Sequence, residues 1–235
     1  MIFHDRLVAP EVLALAPART ARVFVGKVVG AQSWPQARIN AAIVAAALQG
    51  QRVVRLKSGD PSIFGRACEE IDAARAAGID IEIVPGITAA SAGAASLCRP
   101  LTGRGQTERL VIVTATCRPG DPWQGLTDVV RPGTTLAIYM AMQRLPQVEA
   151  DLCRAGPGPD HEVVILSHIG TAGEKRLTTR LKGLAQAVAV AGLTNPAVIY
   201  LRIQKAGRAD RVCNMQALPA GREYRVAEPQ SCNGA

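Results

Sequence analysis

Three short segments of this chain place glycine, proline or a polar group directly after an apolar run: KSGDPS (57–62), VPGITAAS (84–91) and IYMAMQ (138–143). Glycine lets a ligand approach the backbone closely, and proline restricts the direction in which the chain leaves the turn. Asp60 adds a carboxylate that can accept hydrogen bonds from ribose hydroxyls or from an amine. The alternative is an ordinary strand-to-helix turn in which Asp60 caps the helix that follows.

Motifs for other chemistry are absent from the sequence. No GxGxxG or P-loop sequence follows a predicted strand, and neither GxSxG nor HExxH occurs. The segment AGPGPD (155–160) resembles a phosphate-binding loop in composition, but it precedes an apolar run, whereas such a loop follows a strand and opens a helix. The six cysteines and three histidines show no metal-ligand spacing, so no metal site is predicted.

The elements that must position these turns follow from the hydrophobic pattern. Alternating strands and helices predict an α/β fold with right-handed crossovers. Ligands of such sheets collect where the strands end, which is where the three turns lie. Strands are predicted at 1–5, 22–25, 53–56, 79–84, 110–114, 135–139, 162–167 and 197–201, and helices at 8–16, 35–48, 69–77, 88–97, 145–155 and 181–191.

The polar, glycine-rich stretch LTGRGQTERL (101–110) predicts a domain boundary. We therefore expect an N-terminal α/β domain at 1–105, a C-terminal α/β domain at 106–203 and an irregular tail at 204–235.

Composition limits the partners. The net charge of +8 favours a polyanion, either nucleic acid or a small polycarboxylate, although a merely basic surface would give the same charge. Aromatic residues make up only 3% of the chain, which argues against a surface that stacks on nucleic-acid bases. No run of about 18 apolar residues occurs, so no membrane partner is predicted. The lack of a signal peptide and of paired cysteines predicts a cytoplasmic protein.

In combination, order and spacing, these segments resemble the tetrapyrrole methylase family, and the resemblance covers roughly residues 2–200. The segments that carry it are DRLVAPEVL (5–13), VFVGK (23–27), RVVRLKSGDPSIFGRACEE (52–70), EIVPGITAASAGAASLCRPLTGRG (82–105), LAIYMAM (136–142) and ILSHIGT (165–171).

The resemblance implies two α/β domains, a cleft between them for S-adenosylmethionine as methyl donor, and a homodimer. Asp5 matches the family's proton acceptor, Lys27 its proton donor, and Arg104 would face the substrate. The residues that would line the cofactor are Ser58, Gly59, Asp60, Ile63, Thr88, Ala89, Met140 and Gly170.

The implied reaction is C-methylation of uroporphyrinogen III at C2 and C7, giving precorrin-2 for sirohaem and cobalamin. Methyl transfer to a pyrrole carbon depends mainly on positioning, and a carboxylate and an ammonium can move the proton that must follow. A tetrapyrrole polycarboxylate would also account for the basic charge, with no nucleic acid as partner. Another precorrin methyltransferase and a non-catalytic paralogue are the alternatives.

Relative to the family, the sequence as given lacks a first strand, a Gly-Pro-Gly-Asp-Pro loop and a helix before the position of Ile2. We expect either a start upstream of Met1 or a truncated paralogue, and the loss of this strand from the sequence as given predicts open edges in the first sheet.

Overall fold

The structure is a computed structural model that describes residues 1–26, 34–117 and 123–205 of the 235-residue chain. Its strands are β1 (Ile2–His4), β2 (Arg22–Phe24), β3 (Val54–Leu56), β4 (Arg109–Thr114), β5 (Thr134–Tyr139), β6 (Glu162–Ser167), β7 (Lys175–Arg180) and β8 (Ala197–Ile203). Its α-helices are α1 (Pro10–Ala14), α2 (Gln36–Leu48), α3 (Ala67–Ala76), α4 (Ala89–Ser96), α5 (Leu145–Arg154) and α6 (Leu184–Val190), with 3₁₀ turns at Thr127–Val129 and Met142–Arg144.

The first sheet is parallel, with strand order β2-β1-β3. His4 pairs with Phe24 on one side and with Leu56 on the other, so the three strands end in register. Asp5 and Lys57 directly follow the last paired residues of β1 and β3, which brings them to the same edge. The small core beneath this sheet consists of Phe3, Val25, Ile39 and Ala46.

The second sheet has the order β4-β5-β8-β6-β7, in which β4 and β5 are parallel and the other neighbours are antiparallel. Successive residues of its central strands face opposite sides, as strand geometry requires. One face packs against α5 and α6 through a core that includes Leu136, Ile138, Ile165, Ile199 and Leu201.

The other face of this sheet packs against α4. Ala90 and Leu97 of that helix region belong to one buried cluster with Ala137, Leu166 and Tyr200. The helix therefore lies before the predicted boundary in sequence but packs against the sheet that follows it. The domain boundary at residue 105 remains a proposal. The strands of the first sheet precede it in the sequence, and the strands of the second sheet follow it.

Most predicted strands and helices are confirmed within one to three residues at each end, and the α/β class is confirmed. The predicted strand at 79–84 is wrong, because these residues have no regular secondary structure and pair with no described strand. The alternation in IDIEIV suits a strand, but a strand also needs a hydrogen-bonded neighbour. Ile81, Ile83 and Val84 are exposed as a result.

Strand β7 was not predicted. Its sequence KRLTTR carries three charges, and only Leu177 and Thr179 are half-buried. Charged residues are typical of edge strands, which they protect from pairing with other chains. The hydrophobic pattern is therefore too weak to identify β7, although it pairs with β6 over six residues.

Candidate functional site

The turn after β3 is organised by Asp60. Its Oδ1 accepts hydrogen bonds from the backbone N–H of Ser62 at 2.8 Å and from the Ser62 hydroxyl at 2.5 Å. Gly59 has φ of +76°, a left-handed conformation that favours glycine. The N–H of Ile63 donates to the carbonyl of Asp60 at 3.2 Å. The predicted residues 58–63 thus form one compact turn.

Asp60 also joins this turn to the second predicted segment. Its Oδ2 accepts a hydrogen bond from the backbone N–H of Gly86 at 3.2 Å. A Cβ at residue 86 would overlap the carbonyl oxygen of Gly59, so this approach of the two backbones requires glycine. Hydrogen bonds from Ser62 and then from Gly86 hold the pKa of Asp60 below its ordinary value, which keeps the carboxylate ionised.

The start of α4 meets the end of β5 at Tyr139. The hydroxyl of Tyr139 lies 2.7 Å from Thr88 Oγ1 and accepts a hydrogen bond from the N–H of Ala90 at 2.6 Å. It therefore occupies the place of a helix cap, which the side chain of Thr88 does not fill. The ring of Phe64 packs on Tyr139 with 5.3 Å between centroids.

Met140 follows Tyr139 in a left-handed conformation, with φ of +54°. Residues other than glycine rarely adopt this backbone conformation, and strained conformations of this kind are concentrated at functional positions. The Met140 sulfur lies 3.6 Å from the hydroxyl of Thr116. Residues 58–64, the start of α4 and Tyr139–Met140 are thus linked by successive contacts.

Asp5 lies on the first sheet beside the turn of Asp60. Arg55 Nη2 donates to Asp5 Oδ1 at 2.7 Å, and Arg55 Nε lies 3.0 Å from Glu70 Oε1. Lys57 Nζ pairs with Glu70 Oε2 at 2.9 Å and donates to the carbonyl of Gly65 at 2.5 Å. Asp5 is therefore connected to both ends of the Asp60 turn through the charged side chains of Arg55, Glu70 and Lys57.

Two predicted site residues, Gly170 and Arg104, lie outside the group of linked segments, which consists of residues 58–64, the start of α4 and Tyr139–Met140. Gly170 donates its N–H to Glu174 Oε2 at 2.8 Å, and Glu174 in turn accepts from Ser96 at the far end of α4. Arg104 is exposed in the turn between Gly103 and Thr107. Among the described residues, no hydrogen bond or ion pair joins either of them to the turns around Asp60. Lys27 lies outside the described residues.

An open cleft of about 350 Å³ adjoins the group. Phe64 forms one side of it, residues 112–114 of β4 another, and residues 125–129 the third. The cleft is of the size of small-molecule sites. Two of its lining residues connect it to the end of β5: Phe64 packs on Tyr139, and Thr114 pairs with Tyr139 in the sheet.

The group can accept a polar ligand without losing its own contacts. A carboxylate offers about four lone-pair positions. Three donors, the N–H and hydroxyl of Ser62 and the N–H of Gly86, occupy three of those of Asp60. One acceptor position of Asp60 is therefore left for a further donor, such as a ribose hydroxyl or an amine.

Sequence reasoning assigned no role to Arg55, Lys57, Glu70 or Tyr139. A signal was present in the strand VVRLK, where two cations alternate within an apolar run, and in the acidic start of α3. Charges within a short strand indicate partners elsewhere in the fold, because unpaired buried charges are costly. The identity of those partners depends on tertiary structure.

Within residues 1–26, 34–117 and 123–205, no group of three or more His, Cys, Asp or Glu side chains is arranged to hold a metal ion. None of the helices in the same ranges is both long enough and apolar enough to cross a membrane.

Comparison with known proteins gives consistent matches. The family model described as Tetrapyrrole (Corrin/Porphyrin) Methylases matches residues 1–185. A siroheme synthase of Methylococcus capsulatus is 42% identical over 205 residues, which are 86% of this chain and 43% of that protein. A uroporphyrinogen-III C-methyltransferase of Paracoccus denitrificans is 42% identical over 206 residues, 86% of this chain and 70% of that protein. The chain thus spans less than half the length of the siroheme synthases it matches.

Two solved structures of methyltransferases are also similar to this chain. A uroporphyrin-III C-methyl transferase from Thermus thermophilus, complexed with S-adenyl homocysteine, superimposes with a TM-score of 0.71 at 30% identity, covering 86% of this chain and 84% of that one. A cobalt precorrin-4 methyltransferase superimposes with a TM-score of 0.75 at 25% identity, covering 86% and 83%.

Proposed function

Since this chain belongs to the tetrapyrrole (corrin/porphyrin) methylase family, we propose that it methylates uroporphyrinogen III at C2 and C7, with S-adenosylmethionine as methyl donor, to give precorrin-2. The observation that carries the proposal is the junction of three turns, in which Asp60 links residues 58–62 to Gly86 and Tyr139 links the start of α4 to Met140. The relatives named above support the choice of reaction.

The methyl donor supplies an electrophilic methyl group on a sulfonium. Asp60 would accept a hydrogen bond from its polar part through the free acceptor position, with Ser58, Gly59 and Ile63 alongside. Thr88 and Ala89 would contribute from the start of α4. We also assign Met140 and Gly170 to this site on the family resemblance. Binding here would fix the direction of transfer, which is the main contribution an enzyme makes to such a displacement.

Asp5 is proposed to take up the proton that the methylated pyrrole ring must lose. A new carbon–carbon bond forms at the substituted pyrrole carbon as the carbon–sulfur bond breaks, and the cationic ring that results is neutralised when a proton leaves its nitrogen or a neighbouring bridging carbon. Arg55 holds Asp5 Oδ1, and no described residue donates to Oδ2, so that oxygen is available as a base. Lys27 is proposed as the proton donor, and Arg104 as a contact to substrate carboxylates.

The remaining proposals concern context. We propose a cytoplasmic homodimer that binds a tetrapyrrole polycarboxylate and no nucleic acid, with the basic net charge attracting the substrate. Sedimentation of the full chain tests the dimer. A second candidate is methylation of a later precorrin, which the similarity to the cobalt precorrin-4 methyltransferase favours. Methylation assays with uroporphyrinogen III and with precorrins as competing substrates separate the two.

The test of the cofactor site is a calorimetric titration of the full chain with S-adenosylhomocysteine. We expect saturable binding by the wild type and its loss in Asp60→Ala, because both the free acceptor and the link to Gly86 disappear. Asp72→Ala is the matched control, since Asp72 is an exposed carboxylate on α3. Unchanged affinity in Asp60→Ala would refute the assignment, and no binding by the wild type would favour the non-catalytic paralogue.

A further inference from the structure

A buried ionic cluster lies behind the turn of Asp60. It consists of Arg55, Lys57 and Glu70, and it extends to Asp5. The side chains of Lys57 and Glu70 are each only 8% exposed. Two cations and two carboxylates balance in charge, which is the condition under which ionised groups are retained in a protein interior.

Glu70 is the centre of this cluster. Its Oε1 accepts from Arg55 Nε at 3.0 Å and from Gln36 Nε2 at 3.1 Å, while its Oε2 pairs with Lys57 Nζ at 2.9 Å. One carboxylate on α3 therefore holds both the cation that contacts Asp5 and the cation that begins the turn.

Lys57 connects the two ends of the turn. It directly precedes Ser58, and its ammonium donates to the carbonyl of Gly65, where the turn ends. The turn is also wound tightly at this point, because a Cβ on Gly65 would lie within overlap distance of the carbonyl of Pro61. Whatever orients the Lys57 ammonium therefore influences the path of residues 58–65.

We propose that Glu70 is a positioning residue that sets the position of the Asp60 turn relative to Asp5, and so aligns the methyl donor with the proton acceptor. The proposal rests on the proposed function, because it presumes that residues 58–63 bind S-adenosylmethionine. Glu70 contacts no reacting group itself. It acts through Lys57 on the turn and through Arg55 on Asp5.

The cluster also explains why a charged arrangement is used. An apolar side chain at residue 70 could fill the same volume, but it would place no directional constraint on Lys57 or Arg55. Charge-assisted hydrogen bonds are directional and fix both cations in one geometry. The alternative role is stabilisation alone, and the experiment has to separate the two.

The principal variant is Glu70→Gln, which keeps the shape but removes the charge and one acceptor. Its matched control is Glu69→Gln, the same change at the adjacent residue, where the side chain is 49% exposed and pairs with Arg66. In the full chain we expect Glu70→Gln to weaken S-adenosylhomocysteine binding about tenfold, equivalent to loss of one charge-assisted contact. Glu69→Gln should stay within about twofold of the wild type.

Kinetics give a second measurement. We expect Glu70→Gln to raise KM for S-adenosylmethionine and to lower kcat for methylation, because both the turn and Asp5 are displaced. Glu70→Asp, which keeps the charge, should recover part of the affinity. A purely stabilising role predicts unchanged binding in whatever fraction of the protein is folded.

A third variant measures binding in a protein that is expected to remain folded. Lys57→Met with Glu70→Leu replaces the two most buried members of the cluster by apolar side chains, a type of exchange that often preserves stability, and Arg55 keeps its ion pair with Asp5. We expect this double variant to unfold at a temperature near that of the wild type and still to bind S-adenosylhomocysteine about tenfold more weakly. Wild-type affinity in the folded double variant would overturn the inference.

The outcomes are distinguishable. If the wild type shows no saturable binding, the proposed function fails and this inference with it. If the wild type binds and Glu70→Gln matches Glu69→Gln in affinity and KM, only the role of Glu70 is refuted.

Discussion

The two sheets of this protein differ in how much apolar surface they bury. Strands β1, β2 and β3 are three residues long, and four buried apolar residues form the core beside them. The strands of the second sheet have six or seven residues, and 17 buried apolar residues of the described chain form the core on one of its faces. Apolar burial is the main stabilising contribution to folding, so the second sheet is expected to be the more stable region.

The candidate site lies where these two regions meet. Asp5 and the Asp60 turn belong to the first sheet, and Tyr139 and Met140 extend from the second. In the first region, Arg55, Lys57 and Glu70 form ion pairs, whereas the core of the second region consists of apolar side chains. Asp5 and the Asp60 turn are thus held by directional polar contacts, whereas Tyr139 and Met140 extend from a sheet that is held by apolar packing.

The largest effect should come from the core of the second sheet. Leu201 is fully buried, and Leu201→Ala should lower the free energy of unfolding by about 2–5 kcal/mol through lost burial and a cavity. Leu48→Ala is the control, because Leu48 is 66% exposed at the end of α2. This variant should change the free energy of unfolding by less than about 0.5 kcal/mol. Urea unfolding measures both. Equal effects would contradict the burial of Leu201 in the core of the second sheet.

In the first region the expected effect is on catalysis. Asp5→Asn keeps an oxygen for Arg55 but removes the base, so kcat for methylation should fall about a hundredfold or more. Binding of S-adenosylhomocysteine and stability should stay close to those of the wild type. Asp72→Asn serves as the control carboxylate. Wild-type kcat in Asp5→Asn would remove the proposed role of Asp5.

The contact between α4 and the second sheet gives a smaller effect. A Cβ at residue 93 would overlap the hydroxyl of Tyr200, so Gly93→Ala should cost about 1–3 kcal/mol by overpacking. Gly173→Ala is the matched change, because the nearest atom to its Cβ lies at 3.6 Å. Thermal unfolding compares the two variants. If both unfold alike, α4 is less tightly packed than the structure indicates.

The smallest effect is expected from Tyr200→Phe. The Tyr200 hydroxyl donates to the carbonyls of Ala89 and Ala90, and the loss should cost about 1 kcal/mol near neutral pH. Burial raises the pKa of Tyr200 above its ordinary value. Because the folded protein holds this proton more tightly than the unfolded chain, the contribution is complete below about pH 10 and declines as the pH rises further.

Urea unfolding of the wild type and Tyr200→Phe between about pH 8 and about pH 11 measures this effect, since the unfolded tyrosine titrates near pH 10. The difference between the two proteins should narrow at the alkaline end. A difference that stays constant with pH would show that Tyr200 ionises as easily in the folded protein as in the unfolded one.

Most of the strands and helices, and the positions of the motifs, could be predicted from the sequence. Periodicity identified β4, β5, β6 and β8 because their residues form long apolar runs, and the glycine and proline of KSGDPS (57–62) marked the end of β3. It failed where the local pattern and the tertiary outcome diverge. Residues 79–84 alternate like a strand without a described partner, and β7 is a strand with little apolar content.

Within the site, the sequence placed Asp60, Thr88 and Met140 at the ends of apolar segments, and the family resemblance supplied their proposed roles. Only the tertiary structure decided which groups meet: the link from Asp60 to Gly86, the capping of α4 by Tyr139, and the path from Asp5 through Arg55 and Glu70 to the turn. The reason is physical. Periodicity and turn preferences act over a few residues, whereas these contacts join groups 13 to 50 positions apart in the chain, whose meeting depends on how the strands are ordered.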